Sequence, residues 1–111
     1  MDLLQVHVTD HSGWRVVRAT GQLDVATAPE FRQSLVEAQY GGETHVVVDL
    51  NGIEFMDSMG LGVIVGGLKR ARTHQCQFVV ACSNERILRL LELTGLAHVL
   101  RVVPDPEAVT G

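Results

Sequence analysis

Asp57 and Ser58 are the residues of this chain best placed to do chemistry at a defined spot. They stand between a short β-branched run, Val46-Val47-Val48-Asp49-Leu50, and a long apolar segment of helical spacing that ends in Lys69, Arg70 and Arg72. An Asp or Ser ahead of a periodic run marks a helix start, and cations in the last turn complement the helix dipole. The Ser58 hydroxyl is therefore expected on the surface at the mouth of a helix over about residues 58–73, among backbone N–H groups that have no intrahelical partner. Such a place suits a phosphate. The plainer role for Ser58 is an N-cap and nothing more.

Enzymatic uses of the same residues fail on spacing. A serine-hydrolase elbow needs Gly-x-Ser-x-Gly, but Met56 holds the first glycine position and no Asp and His pair follows to activate Ser58. A phosphate-cradling loop ends in Gly-Lys-Ser or Gly-Lys-Thr, and Gly60-Leu61-Gly62 has no such lysine. A dinucleotide fingerprint also fails, because Gly60, Gly62 and Gly66 have the wrong spacing and fall inside the helix. Asp49 and Asp57 suggest an aspartyl-phosphate receiver, yet the acidic pair after a first strand and the late lysine are missing. The five histidines, His7, His11, His45, His74 and His98, are scattered, without an i, i+4 pair or a cysteine at ligand spacing. The residues point to no catalysis, no metal and no cofactor.

The helix that presents Ser58 has two sides of different character. Leu61, Ile64, Val65 and Leu68 recur at i, i+3, i+4, i+7 and form one apolar stripe, assigned to the core. Met59, Gly62, Val63, Gly66 and Gly67 fall on another side that is apolar or bare. Glycine inside a helix costs about 1 kcal/mol relative to alanine, so three of them need a reason. Close packing on the sheet and a flat surface for another protein are both open for Gly66 and Gly67. Docking is the better account of Met59, Gly62 and Val63, which adjoin Ser58.

The elements around this helix read in order. Leu3 to Val8 alternates loosely as a half-buried strand, Asp10-His11-Ser12-Gly13 is a turn, and Trp14 to Thr20 is a second strand, giving an antiparallel hairpin. Gly21-Gln22-Leu23-Asp24 leads to a helix in which Thr27 can cap, Pro29 fits the first turn and Glu30 completes a capping box. Phe31, Leu35 and Ala38 give its apolar face, and Gly41-Gly42 ends it. His45 to Leu50 is the central strand, which Asn51 and Gly52 interrupt. Gln77 to Ala81 is the next strand. A third helix follows, capped by Ser83 or Asn84 and left through a Schellman-type exit at Gly95-Leu96. Val99 to Val103 is a final strand, and the residues after Pro104-Asp105-Pro106 form a helical turn or a frayed tail. The order β-β-α-β-α-β-α-β predicts one α/β domain with a mixed, mostly parallel sheet.

Composition narrows the partners. With 111 residues the chain is one domain with a core of modest size. Five aromatics argue against nucleobase stacking, and a formal net charge of −4 argues against nucleic acid or an anionic membrane. The amino terminus lacks the basic stretch and apolar core of a signal peptide, and no window is long and apolar enough to span a membrane. Cys76 and Cys82 share parity at one predicted strand and are expected reduced, so a cytoplasmic protein is expected.

The segment Phe55-Met56-Asp57-Ser58-Met59-Gly60-Leu61-Gly62-Val63-Ile64, following Val46-Val47-Val48-Asp49-Leu50, closely resembles the signature of the bacterial anti-sigma factor antagonists of the STAS domain family. Gly21-Gln22-Leu23-Asp24 matches that family's Gly-x-Leu-Asp before its first helix, and Leu90-Leu91-Glu92-Leu93-Thr94-Gly95-Leu96 matches its third helix and exit. The resemblance covers nearly the whole of 1–111, with a domain core at about 3–103. It implies that Ser58 is phosphorylated by an anti-sigma factor that is also an ATP-dependent serine/threonine kinase. The unphosphorylated antagonist would bind that kinase and free the sigma factor, and a PP2C-type phosphatase would reverse the modification. Asp24, Asp57, Ser58, Met59, Gly62, Val63 and Gly66 are the expected partner-binding residues; a turn-capping role is as open for Asp24. Met59 departs from the small or hydroxylated residue of many relatives, which bears on kinase preference. The other use of such a fold is a constitutive subunit of a larger assembly, such as a lipid transporter's ATPase or a signalling complex.

Overall fold

Alternating β-branched residues flanked by amphipathic helices build a five-stranded sheet with its main helices on one face. The computed structural model describes residues 3–40 and 44–111. Strands β1 (Leu4–His11) and β2 (Trp14–Leu23) form an antiparallel hairpin; β3 (His45–Met56), β4 (Phe78–Ala81) and β5 (Arg101–Val103) then add in parallel, in the order β1-β2-β3-β4-β5. The crossovers are α1 (Ala28–Ala38), α2 (Ser58–Thr73) and α3 (Glu85–Leu93), the last followed by a 3-10 turn at Leu96–His98. Right-handed crossovers that always step toward the same edge place their helices on one side of the sheet. Accordingly Phe31, Leu35, Leu61, Ile64, Leu68, Ile87 and Leu91 share a core with Val17, Leu23, Val46, Val48, Leu50 and Val80. The opposite face carries the intervening residues Val16, Val47, Val79 and Ala81, packed by Trp14, Val103 and Val109. Val109 comes from the short helix α4 (Glu107–Thr110), so the tail after Pro106 is a helical turn. Among the described residues no helix is long and apolar enough to cross a membrane.

Several boundaries differ from the sequence reading, each for a local reason. The hairpin loop is only Ser12-Gly13, both at positive φ (54° and 81°), the two-residue geometry whose twist matches its strands. Asp10 and His11 therefore stay in β1, with Asp10 bonded to Arg15 at 2.8 Å. That guanidinium holds the Asp10 carboxyl below its ordinary pKa. Strand β3 does not stop at Asn51-Gly52. The Asn51 amide bonds Asp49 and the Pro104 carbonyl while its oxygen receives the Ser83 N–H, and Gly52 lies under Thr20 where a Cβ would collide. The strand thus continues to Met56 past two register shifts against β2. Residues 99–100 leave the 3-10 turn, and β5 begins at Arg101. Asn84 is the cap of α3, accepting from the Arg86 N–H, and Gly95 (φ 78°) carries the left-handed exit with its N–H on the Glu92 carbonyl. The expected Gly41-Gly42 stop lies outside the described residues. Cys76 and Cys82 stand just beyond the two ends of β4, and burial pushes the Cys82 thiol up.

Candidate functional site

The parallel pairing of β2 with β3 brings two loops to one edge. Leu23 is in register with Met56, and the Asp57 N–H donates to the Leu23 carbonyl at 3.1 Å. The β2–α1 loop holding Asp24 therefore lies beside the start of α2. Gly60 fits tightly there: a Cβ would sit 2.9 Å from Leu23 Cβ and 3.3 Å from its carbonyl oxygen. The Asp-Ser-x-Gly spacing follows from that approach, since the third helical residue must pass the end of β2 without a side chain.

Asp57, with extended backbone (φ −115°, ψ −171°), is the N-cap of α2; its Oδ1 accepts from the N–H groups of Met59 at 2.9 Å and Gly60 at 3.4 Å. Ser58 is thus the first helical residue and not the cap. It is exposed, and among the described residues its hydroxyl has no hydrogen-bond partner. One expectation changes as a result. Two of the N–H groups expected to cradle a phosphate on Ser58 are already committed to the Asp57 carboxylate, so the phosphate would stand beside that charge.

Asp24 has a turn-capping role. Its Oδ1 accepts from the Ala26 N–H at 2.9 Å and the Thr27 N–H at 3.2 Å. Thr27 does not cap α1 as expected, because its hydroxyl donates to the Gln22 carbonyl at 2.7 Å and accepts from the Asp24 N–H at 3.1 Å. Two interlocked side chains thereby fix the loop that leads into Ala28 and Pro29. Both carboxylates at this edge hold backbone in place.

A groove of about 390 Å³ runs between α1 and α2 from this edge. It is lined by Ser58, Met59, Gly62, Val63, Gly66 and Arg70 of α2, and by Val25, Ala28, Pro29 and Arg32 from the side of α1. Five of the seven sequence-predicted site residues therefore share one wall; Asp24 and Asp57 stand at its head without lining it. Val25 and Met59, which line the groove together with Ser58, are large apolar side chains left exposed. A Cβ on Gly62 would meet nothing within 4 Å, and one on Gly66 would only touch Arg70 Nη1 at 3.4 Å. These two glycines make the groove floor bare without serving internal packing. Gly67 is different: it is buried, and a Cβ would lie 2.7 Å from the Phe78 ring, so it belongs to the core contact with β4. Val65, assigned to the core stripe, is only half-buried. Sequence reasoning missed the α1 wall altogether. Pro29 and Arg32 fall off the buried Ala28–Phe31–Leu35–Ala38 face of α1, but the period of one helix does not show that they stand opposite α2.

Comparison with known proteins agrees with this architecture. The STAS domain family profile matches residues 5–108. The anti-sigma-B factor antagonist of Staphylococcus epidermidis is 35% identical over 99 residues, covering 89% of this chain and 92% of its own. The crystal structure of an anti-sigma factor antagonist from Mycobacterium paratuberculosis superimposes with a TM-score of 0.88 at 27% identity, over 95% of this chain and 89% of that one. The phosphorylated form of the Bacillus cell fate determinant SpoIIAA shares the fold, with a TM-score of 0.71 at 19% identity over 96% of each chain. With its sheet order, its Asp57-Ser58 helix start and a profile match across nearly its full length, the chain belongs to the STAS domain family.

Proposed function

We propose that this chain is an anti-sigma factor antagonist whose docking surface is the groove between α1 and α2, switched by phosphorylation of Ser58. The observation that carries the reading is the exposed Ser58 hydroxyl at the head of an apolar groove floored by Gly62 and Gly66. An unmodified serine adds no charge to a surface that must lose its water on docking. A phosphoserine brings about −1.5 to −2 charges. Next to Asp57, with the Met59 and Gly60 N–H groups already bonded to its carboxylate, that charge has less local compensation than a free helix start would give. Desolvating it under a partner opposes binding, while the fold, whose cap is Asp57, is untouched. The partner is an anti-sigma factor with ATP-dependent serine/threonine kinase activity, and a PP2C-type phosphatase restores the binding form. The antagonist itself supplies the acceptor hydroxyl and the surface; it performs no catalysis.

Incubation with candidate anti-sigma factor kinases and ATP, followed by mass spectrometry, tests the acceptor: the phosphate is expected on Ser58. In calorimetry Ser58→Ala should bind the kinase and resist release by ATP, whereas Ser58→Asp should bind poorly. Equal affinities for the two variants would overturn the switch and leave a constitutive docking subunit of a larger assembly.

A further inference from the structure

The groove's far end differs chemically from its head. Arg32 of α1 and Arg70 of α2 both line it. Arg70 is half-buried, and its Nε donates to Gln39 Oε1 at 3.0 Å. Gln39 is itself buried and anchored, donating from Nε2 to the Gly67 carbonyl at 2.9 Å. Nη2 of Arg70 is buried and has no acceptor among the described residues. Burial, and after it the neighbouring Arg32 charge, pulls the Arg70 pKa below the ordinary arginine value. Among the described residues neither arginine has a carboxylate partner, and no Asp or Glu lines the groove. Two like charges are thus held together against an apolar wall, in a chain whose formal net charge is −4. A partly desolvated cation with no carboxylate partner is unfavourable by itself and becomes favourable when a carboxylate approaches it from the groove it lines.

Resting on the docking reading above, we infer that Arg32 and Arg70 receive an Asp or Glu side chain of the partner segment that fills the groove. The phosphate on Ser58 is not that anion. Twelve residues of helix separate Ser58 from Arg70, about 18 Å at the α-helical rise. The two ends therefore act independently: modification at the head repels the partner, while the arginine end attracts it and fixes the direction in which its segment lies. Gln39 positions Arg70 for this contact by holding Nε from behind.

The test uses the anti-sigma factor kinase that phosphorylates Ser58, purified and titrated calorimetrically against the full chain at about 50 and about 300 mM salt. Arg70→Glu is expected to weaken binding roughly 30-fold or more at low salt and to flatten its salt dependence; Arg32→Glu, at an exposed position, should do the same to a smaller degree. Changing the partner's acidic residues to arginine one at a time should find one that restores the affinity of Arg70→Glu, which a structural defect would not permit. Should Arg70→Glu fail to fold, Arg32→Glu and its own charge-reversal rescue decide the matter. If Ser58→Asp weakens binding while both arginine variants keep wild-type affinity and salt dependence, this inference falls and the docking reading stands. If no anti-sigma factor kinase binds the wild-type chain, both fall. Binding of inorganic phosphate or ATP that Arg70→Gln abolishes would instead make the arginine pair a small-anion site and overturn the assignment of a protein carboxylate.

Discussion

The two sides of α2 carry the same residue type for opposite reasons. On the inner side Gly67 lets the helix lie against the Phe78 ring, with no room for a methyl group. On the outer side Gly62 and Gly66 have room to spare, and their lack of side chains is visible only to something outside the molecule. A glycine kept where alanine would fit costs the helix about 1 kcal/mol. Internal packing explains that cost at Gly67 and leaves it unexplained at Gly62, which is the physical case for a docking partner.

Substitutions can break this contrast. Gly67→Val should have the largest effect, lowering the unfolding free energy by about 3 kcal/mol in a denaturant melt, because the Phe78 ring must move to admit it. Asp57→Ala should lower it by about 1 kcal/mol through loss of the helix cap. Ser58→Ala, whose hydroxyl makes no bond to lose, should stay within about 0.5 kcal/mol of wild type in the same melts. Gly62→Ala should raise stability by up to about 1 kcal/mol while weakening kinase binding in calorimetry, an uncoupling of fold from function. Gly66→Ala should stabilise the fold by a similar or somewhat smaller amount, since its methyl group meets only the flexible end of Arg70. If Gly62→Ala both stabilised the fold and left kinase affinity intact, the outer glycines would lose their functional explanation.

Much of this arrangement could be read from the chain. The bounds of α2, the hairpin, the parallel crossovers and the grouping of Ser58, Met59, Gly62, Val63 and Gly66 follow from period and capping chemistry. What escaped depended on contacts between segments distant in sequence. Asn51-Gly52 looks like a strand break, and only Pro104, Ser83 and Thr20, supplied by other elements, turn it into continuous strand. Thr27 has the sequence of a helix cap, but Gln22 and Asp24 claim its hydroxyl. Period alone could not separate Gly66 from Gly67, because the distinction is made by Phe78. The α1 wall with Arg32 was invisible for the same reason: a groove needs two helices, and helical periodicity describes one at a time.

The hydrogen bonds from Met59 and Gly60 to Asp57 bear on how long a signal written here would last. A phosphate gripped by backbone amides would be sheltered and slow to remove. With those amides spoken for, the group on Ser58 would project into water, open to hydrolysis by any enzyme that can reach it. The mark would be erasable, and its persistence would be governed by the cell's phosphatase rather than by the protein that bears it.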